Sequence, residues 1–365
     1  MFFWRNTDCF LFCTFLCLFT HKTYVSIQLI GKYFYLWGNI YMEKKILIPD
    51  TDLYIYPIGL GTADIGLKAD APAPERVFDT YLDLGGNLID TAHVYSNWIP
   101  GERARSERII GDWLKNSGKR NQIVLMTKGG HPEIVEGAPE WGKIRPTHEA
   151  MVCDLDHSLK QLQTDYVDVY FYHRDNKNQS IEEEIETMEG FVKEGKIRYY
   201  ACSNFDTDRM LAAYNYCKEK GYRGFVGDQC LMNLAMKYMN EPADPTLRCI
   251  RGDNFDYHVE HPELMAMPFF GNCAGYFHKY LSKGADAVKD MYYDTEKNRK
   301  VAEKVKALAE KYECSITQAV MGFFKFQPFT CVPLYGTSSP EHIVDACKTL
   351  DVPFTAKDYE DVLDV

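Results

Sequence analysis

“YVDVYFYH”, residues Tyr166–His173, is a nearly continuous apolar run that ends in a histidine. A strand with one solvent-facing side alternates apolar and polar residues, whereas a strand covered on both faces is apolar almost throughout, which is typical of parallel sheets. Seven more runs of this kind occur along the chain: “YPIGLG” from Tyr56, “NLID” from Asn87, “IVLMTK” from Ile123, “IRYYACSN” from Ile197, “GFVGDQ” from Gly224, “LMAMPFF” from Leu264 and “TCVPLYG” from Thr330. The sequence therefore predicts eight buried, parallel strands.

The segments between these runs have helical periodicity and helix-end signals. Ser180 and Glu183 form a predicted capping box, and Ser339 followed by Pro340 is a typical helix start. Gly118 marks the end of the helix predicted in “SERIIGDWLKNSG”. Eight strands that alternate with helices predict an α/β fold, a closed (β/α)8 TIM barrel.

The main alternative fold is an open, doubly wound sheet. Such a sheet usually carries a G-x-G-x-x-G turn that leads from the first strand into a helix, and “GLGTADIG” from Gly59 does not match it. Ahead of the first barrel strand, “KKILIPDTDLYIYP” contains two short alternating runs around residues 49–52. This pattern predicts an N-terminal β-hairpin.

The first 41 residues differ from the rest of the chain. “CFLFCTFLCLF”, residues Cys9–Phe19, is apolar but too short to span a bilayer. We interpret residues 1–41 as an extension outside the domain that arises from a misplaced start, with Met42 as the natural start. A signal or anchor segment is the alternative. The barrel domain is predicted to cover residues 42–365.

Charge and cysteine content limit the function classes. The formal net charge is −11, which argues against nucleic acid as a partner, and no basic run suits an anionic membrane surface. The twelve cysteines form no C-x-x-C pair, so neither a zinc site nor a redox motif is predicted. Cys153, Cys202, Cys230, Cys273 and Cys331 lie in or beside apolar runs and are predicted to be buried thiols. A reduced, cytoplasmic setting is expected.

Four polar residues lie at or just after the predicted carboxyl ends of strands, where barrels carry their active sites: Asp90, Tyr95, Lys128 and His173. Each alone has a commoner structural explanation. Together they are suited to acid catalysis. A tyrosine with an ordinary pKa of about 10 becomes a better acid beside a lysine ammonium that an aspartate holds in place. A histidine can then bind the substrate oxygen. This set suits protonation of a carbonyl oxygen while a nicotinamide cofactor delivers hydride.

The chain resembles the aldo-keto reductase family, in its bacterial branch. “DTAHVYSNW”, “VLMTKGG”, “TDYVDVYFYHRDN”, “GKIRYYACSNF” and “PLYGTSSPEHI” match successive segments of that family in order. The resemblance implies a catalytic tetrad of Asp90, Tyr95, Lys128 and His173, with Tyr95 as general acid and His173 orienting the carbonyl. The implied reaction is NAD(P)H-dependent reduction of an aldehyde or ketone to an alcohol, and the substrate is a small carbonyl or alcohol.

The resemblance also implies a cofactor-binding shell. Its members hold the nicotinamide carboxamide, stack on the ring, form the floor or bind phosphate: Gly59, Thr62, Ser203, Asn204, Gln229, Phe269, Gly336, Thr337, Ser338 and Ser339. The basic residue that the family commonly has near Ser338 or Ser339 is absent, and Ala346 replaces an amide. We still expect NADPH rather than NADH, because helix-end amides and serine hydroxyls can hold a phosphate.

The substrate pocket and the assembly are less determined. Trp98, His131, Trp141 and Arg174 lie on loops at the predicted barrel mouth and are candidate substrate contacts, compatible with a sugar-derived or an aromatic carbonyl. A cofactor-binding regulatory module with little turnover is the alternative function. A hydrolase that uses two carboxylates such as Asp90 and Asp175 leaves Lys128 unexplained. The oligomeric state stays open, and no metal is predicted.

Overall fold

A computed structural model gives the structure of residues 44–67, 72–140 and 145–365. Within this part, Ile46–Val365 forms one compact unit. The predicted extension of residues 1–41, the predicted start at Met42 and the candidate substrate contact Trp141 lie outside the described residues.

A sheet of eight parallel strands is the centre of the fold. All eight apolar runs contribute one strand each: β3 (Gly59–Gly61), β4 (Leu88–Asp90), β5 (Val124–Gly129), β8 (Val167–Tyr172), β9 (Ile197–Ser203), β10 (Gly227–Gln229), β11 (Met265–Ala266) and β12 (Leu334–Gly336). Their order is β11-β10-β9-β8-β5-β4-β3-β12. Strands that follow one another in sequence are therefore neighbours in space, as a barrel requires.

Backbone hydrogen bonds close this sheet between its two outer strands. The segment around β11 pairs in parallel with the segment before β12 through Ala266 and Cys331. Val332 N donates to the Ala266 carbonyl at 2.8 Å, and Leu334 N donates to the Pro268 carbonyl at 2.8 Å. The prediction of a (β/α)8 barrel is confirmed.

Two hairpins flank the barrel. β1 (Ile46–Leu47) and β2 (Tyr54–Ile55) pair antiparallel, which confirms the predicted N-terminal hairpin. The buried hairpin residues Ile48 and Leu53 pack with the apolar side chains of the barrel interior, so the hairpin closes the amino-terminal end of the barrel. The second hairpin, β6 (Ile134–Val135) with β7 (Ala138–Pro139), was not predicted from the sequence.

Eleven α-helices lie in the described residues and form the outer layer: α1 (Pro74–Asp83), α2 (Arg105–Ser117), α3 (His148–Leu162), α4 (Ile181–Lys193), α5 (Thr207–Lys220), α6 (Asp253–Glu260), α7 (Tyr276–Lys283), α8 (Glu296–Lys311), α9 (Ile316–Met321), α10 (Pro340–Cys347) and α11 (Ala356–Val362). The predicted end signals are present. α4 opens with the Ser180–Glu183 capping box, α10 has Ser339 as N-cap, and Gly118 ends α2 in a left-handed conformation.

Side chains alternate between the barrel interior and the helix layer. Along β5, Val124 and Met126 belong to the interior cluster, whereas Leu125 packs with the helices. Along β4, Leu88 faces the interior and Ile89 faces the helices. This period of two decides which polar residues at the strand ends enter the active site and which face outward.

The thiol predictions are partly wrong. Cys202, Cys230 and Cys273 are buried, but Cys153 is exposed and Cys331 is only partly buried. Cys153 lies within α3 on the side that faces solvent, whereas Met151, Asp154 and Leu155 of the same helix are buried. In the described residues, no helix has both the length and the apolar character that a membrane crossing requires.

Candidate active site

Lys128 is hydrogen-bonded to two of the other three predicted catalytic residues, Asp90 and Tyr95. Its ammonium donates to the Asp90 carboxylate at 2.7 and 2.8 Å, to the Thr91 carbonyl at 2.8 Å and to the Tyr95 hydroxyl at 3.0 Å. Asp90 and Lys128 are 1% and 2% exposed, so this ion pair is shielded from water. Parallel pairing of β4 with β5 brings the two residues together although they are far apart in sequence.

His173 completes the group from the next strand. Its ring centroid lies 6.0 Å from that of Tyr95, in an edge-to-face arrangement. Within the described part of the chain, the buried His173 Nδ1 has no hydrogen-bond partner. Burial and the neighbouring charges hold the pKa of His173 well below its ordinary value, so its ring is neutral at neutral pH.

The direction of each hydrogen bond follows from donor chemistry. A lysine ammonium has three donors and no acceptor, so the Tyr95 oxygen accepts from Lys128 and the Tyr95 proton points elsewhere. A tyrosine that receives a bond from a cation and keeps its own proton available is arranged as a proton donor.

The surroundings of Tyr95 change its pKa in a direction that the sequence did not predict. Burial raises its pKa, Lys128 lowers it and Asp90 raises it, and the net result is a raised pKa. Burial also lowers the pKa of Lys128, but Asp90 and Tyr95 more than offset it, and the ammonium stays charged. The sequence indicated only the lowering by Lys128, because burial of the tyrosine is a tertiary effect.

The three residues predicted to hold a carboxamide lie together at the ends of β9 and β10. Ser203 Oγ donates to the Gln229 carbonyl at 2.6 Å, and Asn204 Nδ2 donates to Ser203 Oγ at 2.8 Å. Gln229 Nε2 donates to Asp90 Oδ1 at 2.8 Å, which connects this group directly to the ion pair. Asn204 also accepts from Arg248 N at 3.0 Å, so its amide is held at both ends.

The two residues predicted to form the floor of the cofactor site, Gly59 and Thr62, lie at different levels of the barrel. Thr62 is buried just beyond β3, and its hydroxyl donates to the Asp90 carbonyl at 2.8 Å. Gly59 lies at the start of β3, where an added Cβ would meet Leu334 and Leu88 within 3 Å. Gly61, at the level of Asp90 and Gly336 in the sheet, lies closer to the site and was missed in the sequence.

A cleft of about 530 Å³ contains the predicted phosphate-binding residues Gly336–Ser339, in front of α10. Its lining also includes Lys279 of α7 and His342 of α10, which lie within helices rather than at strand ends and carry no signal of this role in the sequence. Backbone N–H groups at a helix start, serine hydroxyls and an ammonium suit a phosphate. Together with the amides near Asp90, these residues fit a nicotinamide dinucleotide.

The predicted stacking aromatic, Phe269, is partly buried and contacts the exposed Phe270 edge to face, with ring centroids 5.4 Å apart. Phe270 is 47% exposed and has a positive φ of 54°. Both rings follow β11, on the edge of the sheet that carries the predicted catalytic residues.

The described residues contain no group of three or more histidine, cysteine, aspartate or glutamate side chains arranged to hold a metal ion.

A sequence model of the aldo/keto reductase family matches residues 57–365. The chain belongs to the aldo/keto reductase family.

Named relatives of this reductase include the aryl-alcohol dehydrogenase [NADP(+)] of Phanerodontia chrysosporium, 26% identical over 336 residues that cover 85% of this chain and 82% of that protein. A probable aryl-alcohol dehydrogenase of Saccharomyces cerevisiae is 26% identical over 290 residues, which cover 78% of this chain and 85% of the relative. An aldo-keto reductase of Aspergillus calidoustus is 29% identical over 194 residues, 50% of this chain and 47% of the relative. This aldo/keto reductase is thus an oxidoreductase that uses a nicotinamide cofactor and acts on a small carbonyl compound.

The candidate substrate contacts of the reductase lie around Tyr95. The Trp98 and Tyr95 ring centroids are 6.3 Å apart, and the His131 ring lies 4.8 Å from His173. Burial and the charge of Arg174 lower the pKa of His131 to about 4. The unpredicted hairpin covers this side of the site, because Ile134 packs with the loop that carries Tyr95 and Trp98.

Arg174 is buried and bound to protein groups. It donates to Thr246 Oγ1 at 2.7 Å, to Asp244 Oδ2 at 3.0 Å and to the His173 carbonyl at 2.8 Å. The sequence placed Arg174 among the candidate substrate contacts. Its sequence neighbour Asp175 pairs with Arg209 of α5, and Arg174 fastens the loop after β10 to the end of β8.

Proposed function

We propose that the protein reduces aromatic aldehydes or ketones to alcohols with NADPH, and that Tyr95 is the general acid. The observation that carries this proposal is the 3.0 Å hydrogen bond from Lys128 Nζ to the Tyr95 oxygen, within a buried ion pair with Asp90. This bond leaves the Tyr95 proton for a substrate oxygen and stabilises the phenolate that remains after transfer.

Each tetrad residue has a separate task in this scheme. Tyr95 transfers its proton to the carbonyl oxygen as negative charge develops there. Lys128, held by Asp90, faces the phenolate and lowers its energy. The neutral His173 orients the carbonyl by donating one ring N–H to its oxygen.

A bound nicotinamide supplies the hydride. Ser203, Asn204 and Gln229 are proposed to hold its carboxamide, and residues 336–339 are proposed to bind phosphate at the start of α10. The preference for NADPH is supported by Lys279, since this residue lines the same cleft and its ammonium can replace the basic residue missing near Ser338. NADH that bound as tightly as NADPH in a titration would contradict this part of the proposal.

Aromatic substrates are supported by two observations. Two of the relatives are named as aryl-alcohol dehydrogenases. The proposed pocket has ring surfaces on several sides, from Trp98, Tyr95 and the paired imidazoles of His131 and His173. Offset and edge-to-face contacts with such rings favour a flat aromatic aldehyde.

The test is NADPH oxidation with an activated aromatic aldehyde by the full-length chain and its Tyr95→Phe variant. General-acid catalysis contributes about 10²–10⁴-fold, so we expect a loss of that size in the variant. Tyr54→Phe is the matched control, because Tyr54 is 47% exposed on the hairpin at the opposite end of the barrel. Tight NADPH binding without turnover by the wild type would favour the regulatory module instead.

A further inference from the structure

The first turn of α2 contacts the ends of the strands that carry the catalytic ion pair. Ser106 and Glu107 are both fully buried in this turn. Their side chains reach three threonines: Thr62 after β3, Thr91 after β4 and Thr127 in β5. We call Ser106 and Glu107 the α2 clamp.

The alternation of side chains explains why these threonines are available. Asp90 and Lys128 point into the barrel and form the ion pair. Their immediate neighbours Thr91 and Thr127 point outward, toward the helix layer. The α2 clamp therefore contacts the side chains of Thr91 and Thr127, the residues next to both charged groups in sequence, without entering the active site.

The hydroxyl groups form a chain of fixed direction. Thr62 Oγ1 donates its proton to the Asp90 carbonyl at 2.8 Å. A hydroxyl has one proton, so Ser106 Oγ donates to Thr62 at 2.7 Å, and Thr91 Oγ1 donates to Ser106 at 2.8 Å. Ser106 thus links the carbonyl of Asp90 to the residue that follows it.

The second half of the clamp acts on β5. Thr127 Oγ1 donates to Glu107 Oε1 at 2.6 Å, directly beside Lys128. Because Ser106 and Glu107 are consecutive residues of one rigid helix, they hold the ends of β4 and β5 relative to each other. That spacing determines the geometry around the Lys128 ammonium.

We propose that Ser106 and Glu107 are positioning residues for proton transfer, which hold Asp90, the Thr91 carbonyl and Lys128 so that the ammonium donates to Tyr95. This inference rests on the proposed function of Tyr95. All three N–H donors of Lys128 are engaged, by Asp90, Thr91 and Tyr95. A small shift of Thr91 or Lys128 therefore weakens the bond to Tyr95, and with it the stabilisation of the phenolate.

The experiment compares kcat, KM and their pH dependence for the wild type, Ser106→Ala, Glu107→Leu and Glu107→Gln, in NADPH-dependent reduction of an activated aromatic aldehyde. Glutamine keeps an oxygen that accepts from Thr127, whereas leucine of similar size does not. Thr349→Val is the control for loss of a buried hydroxyl, because Thr349 lines a small cavity near the opposite end of the barrel. Thermal unfolding with NADPH present identifies the variants that fold.

We expect Ser106→Ala and Glu107→Leu each to lower kcat about tenfold, the rate change expected if the free energy of one buried hydrogen bond is lost in the transition state. KM should stay within about twofold, because the clamp contacts neither substrate nor cofactor. The upper limb of the kcat–pH profile should rise by about one pKa unit, the equivalent of a tenfold weaker phenolate stabilisation. Glu107→Gln and Thr349→Val should behave as the wild type does.

Folded Ser106→Ala and Glu107→Leu variants with wild-type kcat and pH profile, and only a lower melting temperature, would overturn the positioning role. A wild type without turnover would instead contradict the proposed function. In that case the ultraviolet titration of Tyr95, measured as the difference between each protein and its Tyr95→Phe counterpart, decides the inference. A pKa of Tyr95 that is the same in the wild type and Ser106→Ala would refute it.

Discussion

Because Lys128 and Asp90 form a buried ion pair, single and double substitutions of these residues are expected to change the stability of the protein differently. Both side chains are 2% exposed, and Lys128 Nζ lies 2.7 Å from Asp90 Oδ2. Lys128→Met leaves the Asp90 carboxylate buried without its cation, and Asp90→Asn leaves the Lys128 ammonium without its anion. Removal of one partner of a buried pair costs about 3–5 kcal/mol, and we expect a loss of this size in each single variant.

The double variant Asp90→Asn/Lys128→Met leaves no uncompensated charge. Replacement of a whole buried pair by neutral side chains is often close to neutral for stability. We therefore expect the double variant to be more stable than either single variant. Its activity should remain as low as that of Lys128→Met, since no ammonium faces Tyr95.

Urea unfolding at neutral pH gives the free energy of unfolding of the four proteins, and the slope with denaturant shows whether the transition stays comparable. NADPH oxidation with an aromatic aldehyde gives the activity of the same samples. If the destabilisation in the double variant equalled the sum of the two single effects, the energetic coupling of Asp90 with Lys128 would be refuted. Turnover by the double variant at the wild-type rate would refute the role of Lys128.

Three further predictions concern the surroundings of the site. Lys279→Ala should raise the KM for NADPH severalfold and leave that for NADH unchanged, as measured by steady-state kinetics with both cofactors; equal effects on both would argue against a contact with the extra phosphate. Arg174→Met should free the loop that contains Thr246 from the His173 carbonyl, and faster limited proteolysis within residues 241–250 would report this; an unchanged cleavage rate would contradict it. Burial raises the pKa of Glu107 from its ordinary 4.5 to about 7, so folding favours its protonated form and stability falls as pH rises from 4.5 through 7, by about 3 kcal/mol in total. Glu107→Gln should flatten this part of the stability–pH profile in thermal or urea unfolding, and an unchanged slope would count against a raised pKa.

Local pattern was sufficient to predict the barrel and to place the four predicted catalytic residues at or just after its strand ends. Eight apolar runs separated by helical segments specify parallel strands, because only strands covered on both faces lack alternation. Asp90, Lys128 and His173 could be selected because each polar residue ends or follows an apolar run, and the carboxyl ends of parallel strands meet on one edge.

Contacts between segments that are distant in sequence could not be predicted from local pattern. Lys279 shares a cleft with residues 336–339, and Arg174 binds Thr246 across the barrel mouth. The β6–β7 hairpin was missed because its strands are only two residues long and lie within a loop. Exposure of Cys153 depends on which face of α3 turns outward.

The sequence by itself therefore determined the fold class, the family and which side chains end the strands, because these depend on periodicity and on residues near one another in the chain. Only the tertiary structure decided the burial, the pKa shifts and the hydrogen-bond partners of those side chains. Burial raises the pKa of Tyr95 more than Lys128 lowers it. The first turn of α2 is hydrogen-bonded to the threonines beside Asp90 and Lys128. Both effects arise from atoms that the chain brings together across many residues, and no local pattern encodes the distances between them.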